Sequence, residues 1–306
     1  MFETYTADEI DALIAAQDGL VGALTTRVGV LESGGAMGNG GFSPWVDARA
    51  FGVSKDNPDN TGALQAAIDA AWANSLRKVY LPASLFKITA EIDVSGVRLE
   101  GPGPLSGCGI MQMTQGKGAV TIKGERNGVH APGGGLLQMG IFAAPGVQCG
   151  YAIAMGSGGQ NVPDRVALDG LRITTGPTAP TSTHGTWHCA IYANGTTRLA
   201  PPGFRGMTIR DVEFFNVRSP GIVLWGVNGL RMSGVNGYTA QGVQAYTGIW
   251  IGGTSSVQST DVQASDCHVE GQLNVTNTVN SGFEGHFYGG VYMDAFSQQT
   301  CVVSVD

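Results

Sequence analysis

The chain has 306 residues, and glycine fills 48 of them, roughly twice the ~7% of average proteins, while charged residues make up 13% against a typical ~25%. That balance points to many short strands joined by tight turns and away from long amphipathic helices. The net charge of −7 argues against nucleic acid, which needs clustered Lys and Arg, and no apolar run of the length that spans a bilayer is present for membrane insertion.

The N-terminus is acidic (Glu3, Asp8, Glu9, Asp11) and does not read as a secretory leader. Residues 8–32 then follow a heptad. Ile14, Val21 and Val28 share one seam position, and Ile10, Gln17, Leu24 and Leu31 share the other. Such a face buries only against sister helices. The stretch Arg27-Val28-Gly29-Val30-Leu31-Glu32 resembles the trimerisation motif of parallel coiled coils, in which Arg and Glu flank the seam and pair between chains. Gly19, Gly22 and Gly29 each weaken an isolated helix by about 1 kcal/mol, so the segment needs partners. A trimeric stalk over 1–33 is expected, with a plain amphipathic helix docked on the body as the alternative. SGGAMGNGG then reads as a flexible linker, assigned to 34–41.

A helix is predicted after Asn60. Leu64, Ile68, Ala71 and Trp72 make one apolar stripe, Thr61 is its expected cap, and it runs out at Asn74-Ser75 before a strand at Val79-Tyr80-Leu81. The rest of the chain repeats. IDVSGVRL (92–99), VALDGLRI (166–173), MTIRDVEF (207–214), LRMSGVNG (230–237) and VQASDCHV (262–269) share an alternation interrupted by one extra residue. On a straight strand that residue flips the second half outward. A corner at the central pair, mostly Ser-Gly or Asp-Gly in type, restores both halves to one interior.

A second set interleaves with the first: YAIAMG (151–156), AIYANG (190–195), GIVLWG (221–226), GIWIGG (248–253) and GVYMDA (290–295). First-set members starting at 166, 207, 230 and 262 lie 41, 23 and 32 residues apart, the shortest being close to a bare coil. One turn of chain per repeat describes an all-β solenoid of parallel strands. A β-sandwich is the competing architecture and lacks the expected Asn-Gly hairpin turns. The helix then acts as a lid over an open strand edge. The segments are 42–100, cap and first coil, and 101–306, solenoid body.

WVDARAFGVSKDNPDNTGALQAAIDAAWANSLRKVYLPASLFKI (45–88) resembles the opening segment of the pectate-lyase-like superfamily. The match runs through Asp47, Asp56, Asp59, Gln65-Ala66-Ala67-Ile68 and Val79-Tyr80-Leu81-Pro82-Ala83, with mild departures at Ala50-Phe51-Gly52 and Ser84. The resemblance implies a right-handed single-stranded parallel β-helix. A stalk ahead of such a segment is most similar to bacteriophage tailspike and tail-fibre proteins. That likeness implies a homotrimer held to other virion tail proteins through residues 1–33, binding bacterial surface polysaccharide for host adsorption.

The superfamily includes enzymes and pure binders. Polygalacturonase motifs (Asn-Thr-Asp, Asp-Asp, Gly-His-Gly, Arg-Ile-Lys) are absent, and Arg218-Ser219-Pro220 is only a fragment of the calcium-dependent lyase signature. Any depolymerase activity, hydrolase or lyase, therefore rests on individual carboxylates. Glu213 and Glu270 are candidates, with Asp261 beside them. Asp169, Asp211 and Asp266 fall in the bend pairs and read as turn formers. His184, His188, His268 and His286 are possible acids or bases.

Binding leaves a clearer trace. Ala154, Tyr192, Val223, Trp250 and Tyr292 are the outward positions of the second set and stack into a column, with Trp187 and Trp225 at its edges. Such a column suits sugar rings or an inter-subunit face. No cofactor or metal is implied: Asp56-Asn57-Pro58-Asp59-Asn60 reads as a turn, and the scattered Cys108, Cys149, Cys189, Cys267 and Cys301 read as small core residues. A non-enzymatic adaptor of the tail and a free polysaccharide-active enzyme remain the alternatives.

Overall fold

The computed structural model describes residues 45–104, 108–156, 163–175, 186–195, 204–215, 217–218, 220–238, 248–253, 258–289 and 291–293. The heptad positions Ile10, Ile14, Val21, Leu24, Arg27, Val28, Leu31 and Glu32, the 34–41 linker, His184 and Cys301 lie outside them.

On five successive turns one residue is held in the left-handed region between two strand segments: Gln138 (φ 52°), Gly170 (61°), Asp211 (51°), Gly234 (63°) and Asp266 (51°). Four of these are the corners expected from the sequence pattern. Each lets an apolar residue before it and another after it face the same interior. Leu136 then pairs with Leu168, Leu168 with Ile209, Ile209 with Met232, Met232 with Ala264, and Ala264 with Phe283, always in parallel. The 41-, 23- and 32-residue intervals read from the sequence are the intervals of this register.

One assignment shifts. IDVSGVRL is out of phase with its supposed relatives: Ile92–Asp93 lies in a second sheet and Arg98–Glu100 in the first. Its Gly96 (φ 68°) belongs instead to another column of left-handed corners at the entrance to the first sheet, with Gly133, Arg165, Gly206, Gly229, Asp261 and Asn280. The coil missing from the first set is GGLLQMGI (134–141), hidden because Gln138, not a bend-forming residue, occupies its corner.

Three parallel sheets result, of twelve, eight and four strands among the described residues. The eight-stranded second sheet stacks its strands in chain order, from Ile92–Asp93 to Val291–Met293. The four-stranded third sheet, Phe204–Arg205 to Thr278–Val279, closes the circuit. A chain that visits three parallel sheets in turn, one coil upon the next, is a parallel β-helix. The sandwich alternative falls with it. An Asn-Gly hairpin turn does occur, once among the described residues: Asn127-Gly128, with φ of 51° and 75°, turns the antiparallel hairpin Glu125–Arg126/Val129–His130.

One apolar core fills the coil interiors from Val46 to Phe287. Full burial of each Leu, Ile or Val contributes about 1.5–3 kcal/mol as an upper bound. Four cysteines, Cys108, Cys149, Cys189 and Cys267, are buried and unbridged as small core residues. Burial pushes the Cys108 thiol up to about 11 and those of Cys149, Cys189 and Cys267 up to about 12.

The helix Thr61–Ala73 buries Leu64, Ala67, Ile68 and Ala71 over the first coil. Trp72 seats on Gly96, where a Cβ would run into its ring, and the Arg77 guanidinium lies 3.5 Å above it. Two details differ from expectation. Thr61 is the first helical residue, and the N-cap Asn60 makes no side-chain capping bond. Instead Asp59 Oδ1 accepts from the Thr61 N–H (2.9 Å) and hydroxyl (2.6 Å), and Asp59 Oδ2 from the Thr89 hydroxyl (2.7 Å), tying the helix start to the next strand. The first coil also begins earlier than Val79, because Val46–Asp47 pairs with Val79–Tyr80.

Candidate functional site

Two outward faces carry aromatic side chains. On the second sheet the register sets Ala154 beside Tyr192, Tyr192 beside Val223, Val223 beside Trp250, Trp250 beside Asn274 and Asn274 beside Tyr292. Asn274 comes from a coil, Leu273–Val275, that the sequence pattern did not reveal, so Tyr292 stands two coils from Trp250. Trp225 packs on Trp250 with centroids 5.3 Å apart. Tyr151, not anticipated, stacks on Tyr192 at 4.5 Å and 14°. Burial first, then the neighbouring Tyr192, pushes its phenol above the ordinary range.

Trp187 corrects an expectation. It lies wholly inside, its indole N–H donating to the Thr174 carbonyl at 3.1 Å, because its place on the strand alternates with the outward His188. The polar atoms of this face are largely engaged within it. Asn194 Nδ2 donates to the Tyr192 hydroxyl oxygen (3.2 Å), and the Trp250 indole N–H donates to Thr276 Oγ1 (3.3 Å). Ala154 and Val223, between the rings, are buried.

The second face lies on the far half of the first sheet, beyond the mid-strand corners. One outward line runs Arg172, Glu213, Asn236, His268, His286. Beside it stand Phe215, Tyr238, Glu270 and Tyr288, where Phe215 pairs with Tyr238 and the Glu270 and Tyr288 amides donate to Gly237 and Val269 of the preceding coil. The rings touch in sequence: Phe215–Tyr238 stacked at 5.1 Å, Tyr238–His268 at 6.2 Å, His268–His286 at 5.8 Å and His268–Tyr288 edge-on at 5.2 Å. Arg172 binds Glu213 (3.3 Å) and lies 5.6 Å from the centre of the Phe215 ring. Tyr288 is 68% exposed. Among the described residues no hydrogen bond engages the Tyr238 or Tyr288 hydroxyl or the His268 ring. Alternation on Phe214-Phe215 and Gly237-Tyr238 was the signal for this ladder; it was obscured because the two pairs end strands whose starts drew the reading.

The carboxylates separate into two kinds. Asp211, Asp261 and Asp266 occupy left-handed corners, where a short polar side chain is tolerated, and Asp169 pairs with Arg210. Asp261, a catalytic candidate in the sequence, is bound by Arg231 at 3.3 Å and serves the coil entrance. Glu213 and Glu270 do share the ladder, two coils apart. At ~4.8 Å per coil and ~3.4 Å per strand residue their Cα atoms stand roughly 12 Å from each other.

A polar cleft of about 410 Å³ lies between the helix and the hairpin, lined by Gln65, Asp69, Asp93, Lys123, Glu125, Arg126, Asn127 and Gly128. Its groups are spent on each other. Buried Arg126 binds Asp69 and the carbonyls of Asp93 (3.1 Å) and Ser95 (3.2 Å), and Lys123 binds Asp93 (3.2 Å). It is a clasp between lid and shaft. The Asp56–Asn60 stretch is likewise a turn, with Asn60 Oδ1 accepting from the Ser54 amide (2.8 Å) and Asn57 Nδ2 (3.1 Å). Among the described residues no group of three or more His, Cys, Asp or Glu is placed to hold a metal ion, and no helix is long and apolar enough to cross a membrane.

No family model and no curated protein matches the sequence. Solved structures do. ORF18 of Geobacillus virus E2 is similar at a TM-score of 0.45 and 13% identity, over 94% of this chain and 64% of that one. The A-module of the Azotobacter vinelandii mannuronan C-5 epimerase AlgE6 is similar at 0.40 and 14%, over 85% and 75%. The Dettilon tailspike protein gp208 is similar at 0.34 and 12%, over 86% and 68%. Phage tailspikes stand among its structural neighbours. The chain spans slightly under two thirds of the length of ORF18. At these identities the likeness concerns the β-helix fold, which the register of the three sheets establishes independently.

Proposed function

We propose that this chain is a subunit of a trimeric phage virion spike or fibre, acting at the bacterial cell surface. It docks a surface polysaccharide on the first-sheet ladder and turns its second-sheet aromatic face to sister subunits. One observation carries the docking assignment: ring follows ring across Phe215, Tyr238, His268 and Tyr288, with polar groups interleaved at Glu213, Asn236 and Glu270. Sugar recognition needs apolar ring faces together with polar atoms that can bond hydroxyls. The second-sheet face sets its rings among the apolar spacers Ala154 and Val223, which suits a protein partner better. The heptad of residues 8–32 and the opening-segment resemblance support the trimer and attachment through 1–33.

Binding, rather than cleavage, is the activity this geometry favours. Glycoside hydrolysis needs two cooperating carboxyls, and of the two on this ladder Glu213 is paired with Arg172.

The test is the full chain on an array of purified bacterial surface polysaccharides, with light scattering in parallel. Expected are a trimer and a bound polysaccharide whose affinity falls roughly tenfold in Tyr238→Ala or Tyr288→Ala, as for a central aromatic anchor. Trp250→Ala keeps glycan binding and loosens the trimer. A monomeric chain, or glycan binding lost in Trp250→Ala and kept in both tyrosine variants, overturns the assignment.

A further inference from the structure

The charges around the ladder are one-sided. Glu213 and Glu270 lie in it, Glu284 points outward two residues before His286, and Asp211 and Asp266 project from the corners just ahead of it. The two cations beside it are each paired with a carboxylate and offset part of this charge: Arg172 forms an ion pair with Glu213 (3.3 Å), and Arg210 pairs with Asp169, with Asp211 3.9 Å away. The chain as a whole carries −7. A glycan settling along Phe215, Tyr238, His268 and Tyr288 therefore meets more carboxylates than cations, the excess lying at Glu270, Glu284, Asp211 and Asp266.

Resting on the docking assignment above, we infer that the ladder selects a polysaccharide that is neutral or bears amino groups, and excludes acidic ones. Carboxylates accept strong bonds from sugar hydroxyls and ammonium groups. A uronate or a sugar phosphate would bring its charge against Glu213 and Glu270 at close range, where like charges juxtaposed in an interface are strongly disfavoured. The two outward imidazoles, His268 and His286, are the groups able to soften that rejection. They stand among carboxylates, with Glu270 two residues beyond His268 and Glu284 two residues before His286.

The experiment sorts the same array into neutral, amino-bearing and acidic polysaccharides and compares the full chain with Glu270→Gln and Glu213→Gln/Glu270→Gln at constant ionic strength and pH 7.5. The wild-type chain binds members of the first two groups at least tenfold more tightly than any acidic one. The double variant narrows that gap tenfold or more, chiefly by gaining acidic ligands. Folding of each variant is checked by its unchanged thermal midpoint, and Glu270, being exposed, is the safer of the two sites. An acidic polysaccharide bound best by the wild type, and weakened by Tyr238→Ala, overturns the charge selection while leaving the docking face standing. Binding to no array member overturns the docking assignment, and the selection with it.

Discussion

Gly135 sits at φ 145°, and a Cβ built there would drive into the carbonyl of Ala167 on the next coil. Stacked parallel strands leave no room between backbones, and only hydrogen fits at such a place. Gly52 also has a positive φ, 88°, but faces open space. The two positions separate backbone strain from collision. Gly52→Ala costs about 1–2 kcal/mol, the ordinary left-handed penalty. Gly135→Ala costs more than about 3 kcal/mol, because collision adds to strain and the displaced strand is central to the largest sheet. Urea midpoints of the two variants against the wild type make the comparison. Thiol chemistry is a second residue-scale check. With Cys108, Cys149, Cys189 and Cys267 buried and their pKa values pushed up to about 11–12, these four resist iodoacetamide at pH 8 and label only when urea unfolds the chain. Rapid labelling of any of them in the native state contradicts the packing described.

At the scale of elements, the helix matters because no coil precedes the first one among the described residues. Its buried Leu64 and Ile68 close the core, while Asp59 fastens its start to Thr89, just past the strand Leu85–Ile88, and Asp69 fastens it to Arg126 of the hairpin. Leu64→Ala is expected to destabilise by about 2–5 kcal/mol, as for a fully buried aliphatic side chain. Because coils are coupled chiefly to their nearest neighbours, the loss should show first as faster amide exchange in Val79–Tyr80 and Arg98–Glu100, with strands near Gln263–Val269 least affected. Uniform loss of protection along the whole shaft would show instead that the β-helix unfolds as a single unit.

For the whole molecule, parallel stacking turns a one-dimensional pattern into continuous lines of side chains. Arg172, Glu213, Asn236, His268 and His286 lie far apart in sequence, yet each is one coil from the next. A surface built this way is repetitive along the axis, which suits a polymeric ligand presenting similar groups at regular intervals. Salt provides the molecule-scale prediction. An acidic surface that rejects acidic polymers by simple repulsion should reject them less as the Debye length shrinks, from ~10 Å at 0.1 M to ~3 Å at 1 M. Binding of neutral members should change little over that range. A bound neutral polysaccharide that is released by salt points to an ionic contact absent from the ladder described.

The alternation in Val166–Ile173 and its three later relatives, with one surplus residue at a bend, was enough to specify strands, corners and spacing between coils, whereas IDVSGVRL carries the same pattern across two sheets. A coil of a parallel solenoid repeats nearly the same environment, so its apolar positions recur in the sequence as they do in space. The lid helix was legible for a similar reason, since its Leu64–Ile68–Ala71 stripe is local. The second-sheet column was legible except where a short coil, Leu273–Val275, carried too few residues to announce itself. Gln138 hid another coil because a left-handed corner can be held by the fold around a residue that does not favour it. What tertiary structure alone decided was which side chains meet: Trp187 turning inward, Tyr151 stacking on Tyr192, and His268 bridging Tyr238 and Tyr288. Those contacts depend on strand ends and corner angles within a coil or between adjacent coils, and no local pattern encodes a distance between residues that the chain separates by a whole turn of the solenoid.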